Sequence, residues 1–195
     1  MATFEQTKVL RASVMRKDEW FKERDPEEWK RIRLQVLKRD NHTCVYCRWQ
    51  AQKFMQVNHI GAEDDHHLDN LETVCAACHA VLHLGIKSME GLLSAFDCKP
   101  ELTNMARIVH GTRVLVARKT RWPEIERQVL EHYALPDGRV YTCDETTDLA
   151  NQMLDTIQTG EYRGYLPGGK AILFHHCPPW NGFPEEVHVW QLPRY

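Results

Sequence analysis

Four of the chain's seven cysteines form two pairs at two-residue spacing, Cys44 with Cys47 and Cys75 with Cys78, with 27 residues between the pairs. A Cys-x-x-Cys turn points both sulfurs at one position, so two such turns can close tetrahedrally around a single zinc ion. Four thiolates leave no open coordination position, and such a site holds structure without doing chemistry. In a segment this small, zinc supplies on the order of 10 kcal/mol toward folding. The cysteine count is odd and the first residues lack the basic-then-apolar pattern of a secretion signal. Metal binding in a cytoplasmic protein, rather than a disulfide framework, is therefore expected. Cys98, Cys143 and Cys177 are scattered and read as ordinary thiols.

With 195 residues, 43% hydrophobic and 27% charged, the chain suits one domain or one small domain with an elaboration. No apolar run approaches the ~20 residues that cross a bilayer, so no membrane insertion is expected. A net charge of -2 argues against a protein that grips duplex DNA with its whole surface. Any nucleic-acid contact must be local, or helped by a metal or a partner.

Asp25 followed by Pro26 marks a helix start, with Trp29, Ile32, Val36 and Leu37 on one face and an end near residues 39–41. Residues 55–60 suit a strand, 61–70 a polar loop, and 72–84 a helix. In that loop His66 and His67 sit among Glu63, Asp64 and Asp65 and read as solvated. Further on, Leu102, Met105, Ala106 and Val109 fall at helical spacing. Trp122 opens a stretch with Ile125, Val129, Leu130 and Tyr133 inward, and Thr147 or Asp148 caps another with Leu149, Met153, Leu154 and Ile157 apolar. The tail is rich in Gly, Pro and aromatics. Residues 171–174 and 187–190 suit two short strands, with Trp180, Phe183, Trp190 and Tyr195 covering the core. The glycines between 164 and 169 lack the spacing of a phosphate loop and read as a turn. Three segments result: 1–26, a zinc module at 27–85, and a mostly helical extension at 86–195 with an irregular or hairpin-like tail.

The order of residues around the cysteines carries a second message. Asn58-His59-Ile60, then Asn70 within Leu68-Asp69-Asn70-Leu71-Glu72, then Cys78-His79 read His, Asn, His. This pattern resembles the HNH endonuclease superfamily in its four-cysteine form, over roughly residues 27–85. The resemblance implies an α+β fold with a ββα-metal module and DNA phosphodiester hydrolysis. His59 would be the general base, Asn70 would brace the loop, and His79 would hold a catalytic Mg²⁺, Mn²⁺ or Ni²⁺, aided by Asn58 and His83. One position departs from the pattern: many members carry Asp where this chain has Asn58, and an amide is a poorer ligand for a hard cation.

The whole chain is also similar to the DotN/IcmJ family of type IVB secretion coupling complexes. The similarity rests on Thr43-Cys44-x-x-Cys47-x-Trp49-Gln50-Ala51, on the run from Leu68 to Cys75, and on Pro100-Glu101-Leu102-x-x-Met105. It implies a catalytically inactive zinc adaptor on an HNH-like fold that binds protein partners of the coupling complex, whereas the nuclease would bind DNA. The nuclease, with its three pattern residues retained, is the first expectation and the adaptor the second.

Overall fold

The computed structural model of the chain describes residues 8–15, 25–100, 102 and 104–176. In chain order the elements are β1 (Ser13–Met15), α1 (Pro26–Arg39), β2 (Met55–His59), β3 (Leu71–Cys75), α2 (Ala76–Leu82) and α3 (Leu84–Met89). There follow β4 (Leu93–Asp97), α4 (Ala106–Ala117), α5 (Trp122–Tyr133), α6 (Cys143–Asp155), β5 (Arg163–Tyr165) and β6 (Lys170–Phe174). The fold is thus mixed α and β, and the strands described form three two-stranded antiparallel sheets: β1 with β5, β2 with β3, and β4 with β6.

The first helix begins where its capping chemistry dictates. Asp25 accepts the Glu27 N–H at 2.9 Å, and Pro26 occupies a first-turn position whose N–H would be unpaired in any case. Val36 and Leu37 are buried, with Trp29 and Ile32 packed against the core. At the far end Asp40 accepts the Thr73 N–H at 3.0 Å, which fastens the close of α1 to β3.

Residues 72–84 do not form the expected helix. Leu71 to Cys75 are a strand in register with β2, Met55 opposite Cys75 and His59 opposite Leu71, and all five are buried. The helical run starts only at Ala76, with the Cys75 sulfur accepting the Cys78 N–H at 3.4 Å as its cap. It breaks at His83 before α3 continues. β-branched Thr73 and Val74 suit the pleated, covered position better than a helix does.

Beyond α3 the three expected helical stretches are present as α4, α5 and α6, and two strands not expected, β4 and β5, lie among them beside β6 at the expected 171–174. Leu93–Asp97 pairs with Lys170–Phe174, so the described partner of the 171–174 strand is β4. Residues 187–190, and with them Cys177, Trp180, Phe183, Trp190 and Tyr195, lie outside the described residues. The last helix starts earlier than Thr147: Thr142 accepts the Glu145 N–H while the Glu145 carboxylate accepts the Thr142 N–H. α6 packs on α3, β1 and β4, and α4 packs on α5 and α2. Gly164 brings β5 against α6 so closely that a side chain there would meet the Met153 carbonyl oxygen at 2.8 Å. One core cluster runs through all these parts, with Leu71, Leu84, Phe96, Ile108 and Ile125 fully covered. Each such side chain contributes about 1.5–3 kcal/mol.

A serine, a histidine and a carboxylate line up at the edge of this core. His175 Nε2 meets Ser94 Oγ at 2.9 Å and its Nδ1 meets Glu126 at 3.0 Å. Ser94 is 1% exposed and sits inside β4, so the relay ties β4 to α5 and presents no nucleophile.

Candidate functional site

The four cysteines converge from two turns. Directly after α1, Asn41 and His42 adopt left-handed backbone and reverse the chain. Cys44 donates its N–H to the Trp49 carbonyl at 2.8 Å and accepts the Arg48 N–H at 3.0 Å, closing the first turn. Val45 donates to the Thr73 carbonyl at 3.0 Å, which lays this turn against β3. The second pair sits at the junction of β3 and α2. All four sulfurs lie within 4.8 Å of one another. Tetrahedral zinc with Zn–S bonds near 2.3 Å requires sulfurs about 3.8 Å apart, and Cys47 to Cys75 measures 3.7 Å. The donor set and its spacing fit zinc. Bound there, the ion would link the turn after α1 to the start of α2.

A buried cation faces this cluster. Arg113, on α4 and 3% exposed, donates through Nη2 to Cys47 Sγ at 3.1 Å and Cys75 Sγ at 3.3 Å. Its guanidinium also lies 4.6 Å from the Trp49 ring. Burial alone would lower its pKa, but the sulfurs of Cys75, Cys47 and Cys78 outweigh that and raise it. Among the thiols, hydrogen bonds from Cys44, Cys75 and Cys78 pull Cys47 well below its usual value, while burial pushes Cys75 and Cys78 up. Of the two sulfurs that Arg113 reaches, Cys47 is the nearer. Four thiolates around a divalent ion carry two net negative charges in the interior, and Arg113 offsets one of them.

The His and Asn residues of the sequence pattern lie at the ends of β2 and β3 and on α2. Asn70 pins the 61–67 loop: its amide donates to the carbonyls of Ala62 (2.6 Å) and Asp65 (2.8 Å), and its oxygen accepts the Gly61 N–H at 2.8 Å. A side chain at Gly61 would lie 3.1 Å from that oxygen. His59, 6% exposed, stacks on Trp29 with centroids 5.5 Å apart. His59 Nε2 meets His66 Nδ1 at 3.1 Å. His66 is thus a packed partner of His59 and Trp29, not the solvated loop residue expected, because the 61–67 loop folds back over α1.

His79 and His83 face one another, their rings 4.3 Å apart. His79 is pushed down to about 3, chiefly by burial, with His83, Lys87 and Arg163 adding repulsion. Among the described residues, the four cysteines form the one group of three or more Cys, His, Asp or Glu side chains whose ligand atoms converge. His59, His79 and His83 do not make a second.

Two residues of this polar site escaped the sequence reading. Glu72, on β3 with its side chain 5% exposed, accepts from Tyr46 Oη and from Asn58 Nδ2, each at 2.8 Å, and pairs with Lys8. Burial, then the neighbouring carboxylate, raises the Tyr46 pKa, so Tyr46 stays a donor. Arg163, on β5, donates to Asn58 Oδ1 at 3.2 Å and to the His59 carbonyl oxygen, and reaches Ser13 Oγ on β1 at 3.5 Å. The Asn58 amide is therefore used at both ends, nitrogen to Glu72 and oxygen to Arg163. No family model matches the chain, and no curated protein matches it.

Proposed function

We propose that the chain is a catalytically silent, zinc-scaffolded adaptor on an HNH-like module, working as a docking subunit in an assembly of the type IVB secretion coupling class. The observation that carries this is Arg163. Its guanidinium engages the Asn58 oxygen and the His59 carbonyl, beside the residues to which the HNH resemblance assigns the divalent cation. A fixed positive charge there supplies what a scaffold needs, electrostatic balance next to Glu72, and repels the ion a nuclease needs. His59, held between Trp29 and His66, has little freedom to turn toward a water.

The alternative, a metal-dependent DNA endonuclease, draws on His79 of α2 and His83 just after it, whose rings adjoin one another. Metal content and cleavage separate the two. The adaptor retains one zinc per chain after dialysis against Mg²⁺, Mn²⁺ or Ni²⁺ and leaves plasmid intact, with or without His59→Ala. Cleavage that disappears in zinc-loaded His59→Ala would overturn the adaptor and assign the base.

A further inference from the structure

A cleft of about 470 Å³ opens between the first cysteine turn and the α4–α5 pair. Its floor is apolar and aromatic, from Tyr46, Ala106 and Tyr133, and Gly111 leaves the α4 side open, with Tyr133 Oη 3.5 Å from where a side chain would begin. Its rim is basic. Arg48 and Arg107 are exposed there with His110, and among the described residues no acidic side chain lines the cleft. Among the described residues, neither arginine is within ion-pair distance of a carboxylate. Elsewhere on the same surface, Arg39, Arg127 and Arg139 each hold an acidic partner.

The bare arginines exceed what the metal centre requires. A zinc ion on four thiolates carries two negative charges, and buried Arg113 already offsets one. Arg48 and Arg107 outweigh the remaining one, so the mouth of the cleft keeps a positive surplus even with zinc in place. The volume falls in the ~300–1,000 Å³ range of ligand sites, room for a few side chains of a partner rather than for a folded domain.

We propose that this cleft binds a short, extended acidic segment of a partner protein, with carboxylates on Arg48 and Arg107 and an apolar side chain between Tyr46 and Tyr133. The assignment rests on the adaptor reading in one respect, the choice of polypeptide over nucleic acid. A net charge of -2 supports that choice, since a long polyanion is repelled by the rest of the surface while a short segment samples the cleft alone.

The test is fluorescence anisotropy with the full-length, zinc-loaded chain. The probes are a labelled Glu/Asp-rich peptide carrying one phenylalanine, its Gln/Asn counterpart, and a labelled poly-dT strand. The acidic peptide binds, weakens with added salt, and loses about tenfold in affinity in the Arg48→Gln/Arg107→Gln variant. Both arginines are exposed, and unchanged zinc content and circular dichroism verify that the variant folds. Equal binding of the amide counterpart, or an unaffected double variant, overturns the proposal. Tighter binding of poly-dT, lost in the same variant, overturns the polypeptide assignment and gives the cleft to nucleic acid. The adaptor reading fails by His59-dependent cleavage, a separate readout, so the two failures are distinguishable.

Discussion

Replacing Arg113 by methionine removes the buried cation at nearly constant length and leaves the four zinc ligands in place. The variant loses two N–H···S bonds, at 3.1 and 3.3 Å, and the stacking on Trp49. Hydrogen bonds to charged groups contribute about 1.5–3 kcal/mol each. Losing a buried charge partner altogether costs about 3–5 kcal/mol. Methionine recovers part of this, because a guanidinium no longer has to be stripped of water. The net loss is set at about 2 kcal/mol, or roughly 30-fold in zinc affinity, inside the ~10–100-fold range of outer-shell changes around metals. Competition against a chromophoric chelator at neutral pH reads this directly. Arg113→Lys should fall between, since one ammonium does not reproduce a fork that spans two sulfurs. A folded Arg113→Met chain that holds zinc as tightly as the parent would refute the charge argument.

Other sites make smaller claims. Removing zinc with a chelator should unfold the cysteine turns and the β2–β3–α2 junction, seen as lost ellipticity that returns when zinc is restored. Asn70→Ala leaves the Gly61 N–H and two carbonyls without their partner; a cost of about 1–3 kcal/mol in urea and faster exchange of the Gly61 amide are expected. For Asp40, burial favours the neutral acid, but the hydrogen bonds from Arg39 and Thr73 outweigh it and hold the carboxylate below its ordinary 3.8. The folded state then binds fewer protons than the unfolded one, so this contribution is full above that value and vanishes as pH falls through the lower folded value. Asp40→Asn should therefore lower stability at neutral pH and narrow its gap to the parent in acid, measured by urea unfolding across pH. Thr142→Ala breaks the reciprocal cap of α6 and should cost about 1 kcal/mol.

What could be read from the chain alone was local. The α1 start follows from Asp25 and Pro26, and the inward faces of α1 and α5 follow from spacing, because those signals lie within a few turns of one another. The cysteine cluster was legible because its ligand spacing is itself local. Leu71–Cys75 was misread because it has no alternation: Glu72 points inward among Tyr46, Asn58 and Lys8, so the strand carries no polar face to reveal its period. Arg113 and Arg163 were invisible for a different reason. Their partners lie 66 and 105 residues away, and an arginine in a helix or an edge strand looks the same whether it meets solvent or a buried thiolate.

The pairing of β1 with β5 places Met15 opposite Arg163, whose side chain reaches Ser13 Oγ across 150 residues, and this sets an order of events during synthesis. The hairpin of β2 and β3 and both cysteine turns are complete once residue 78 has been made, and can take up zinc then. Arg163 is added much later, and its strand docks only after a long loop has closed. For that interval Asn58 and the His59 carbonyl have no guanidinium beside them. A nascent chain halted before residue 163 would therefore keep Asn58 and the His59 carbonyl without that cation, and its capacity for Mn²⁺ measured on the ribosome would report whether Arg163 closes a site that the earlier residues had already built.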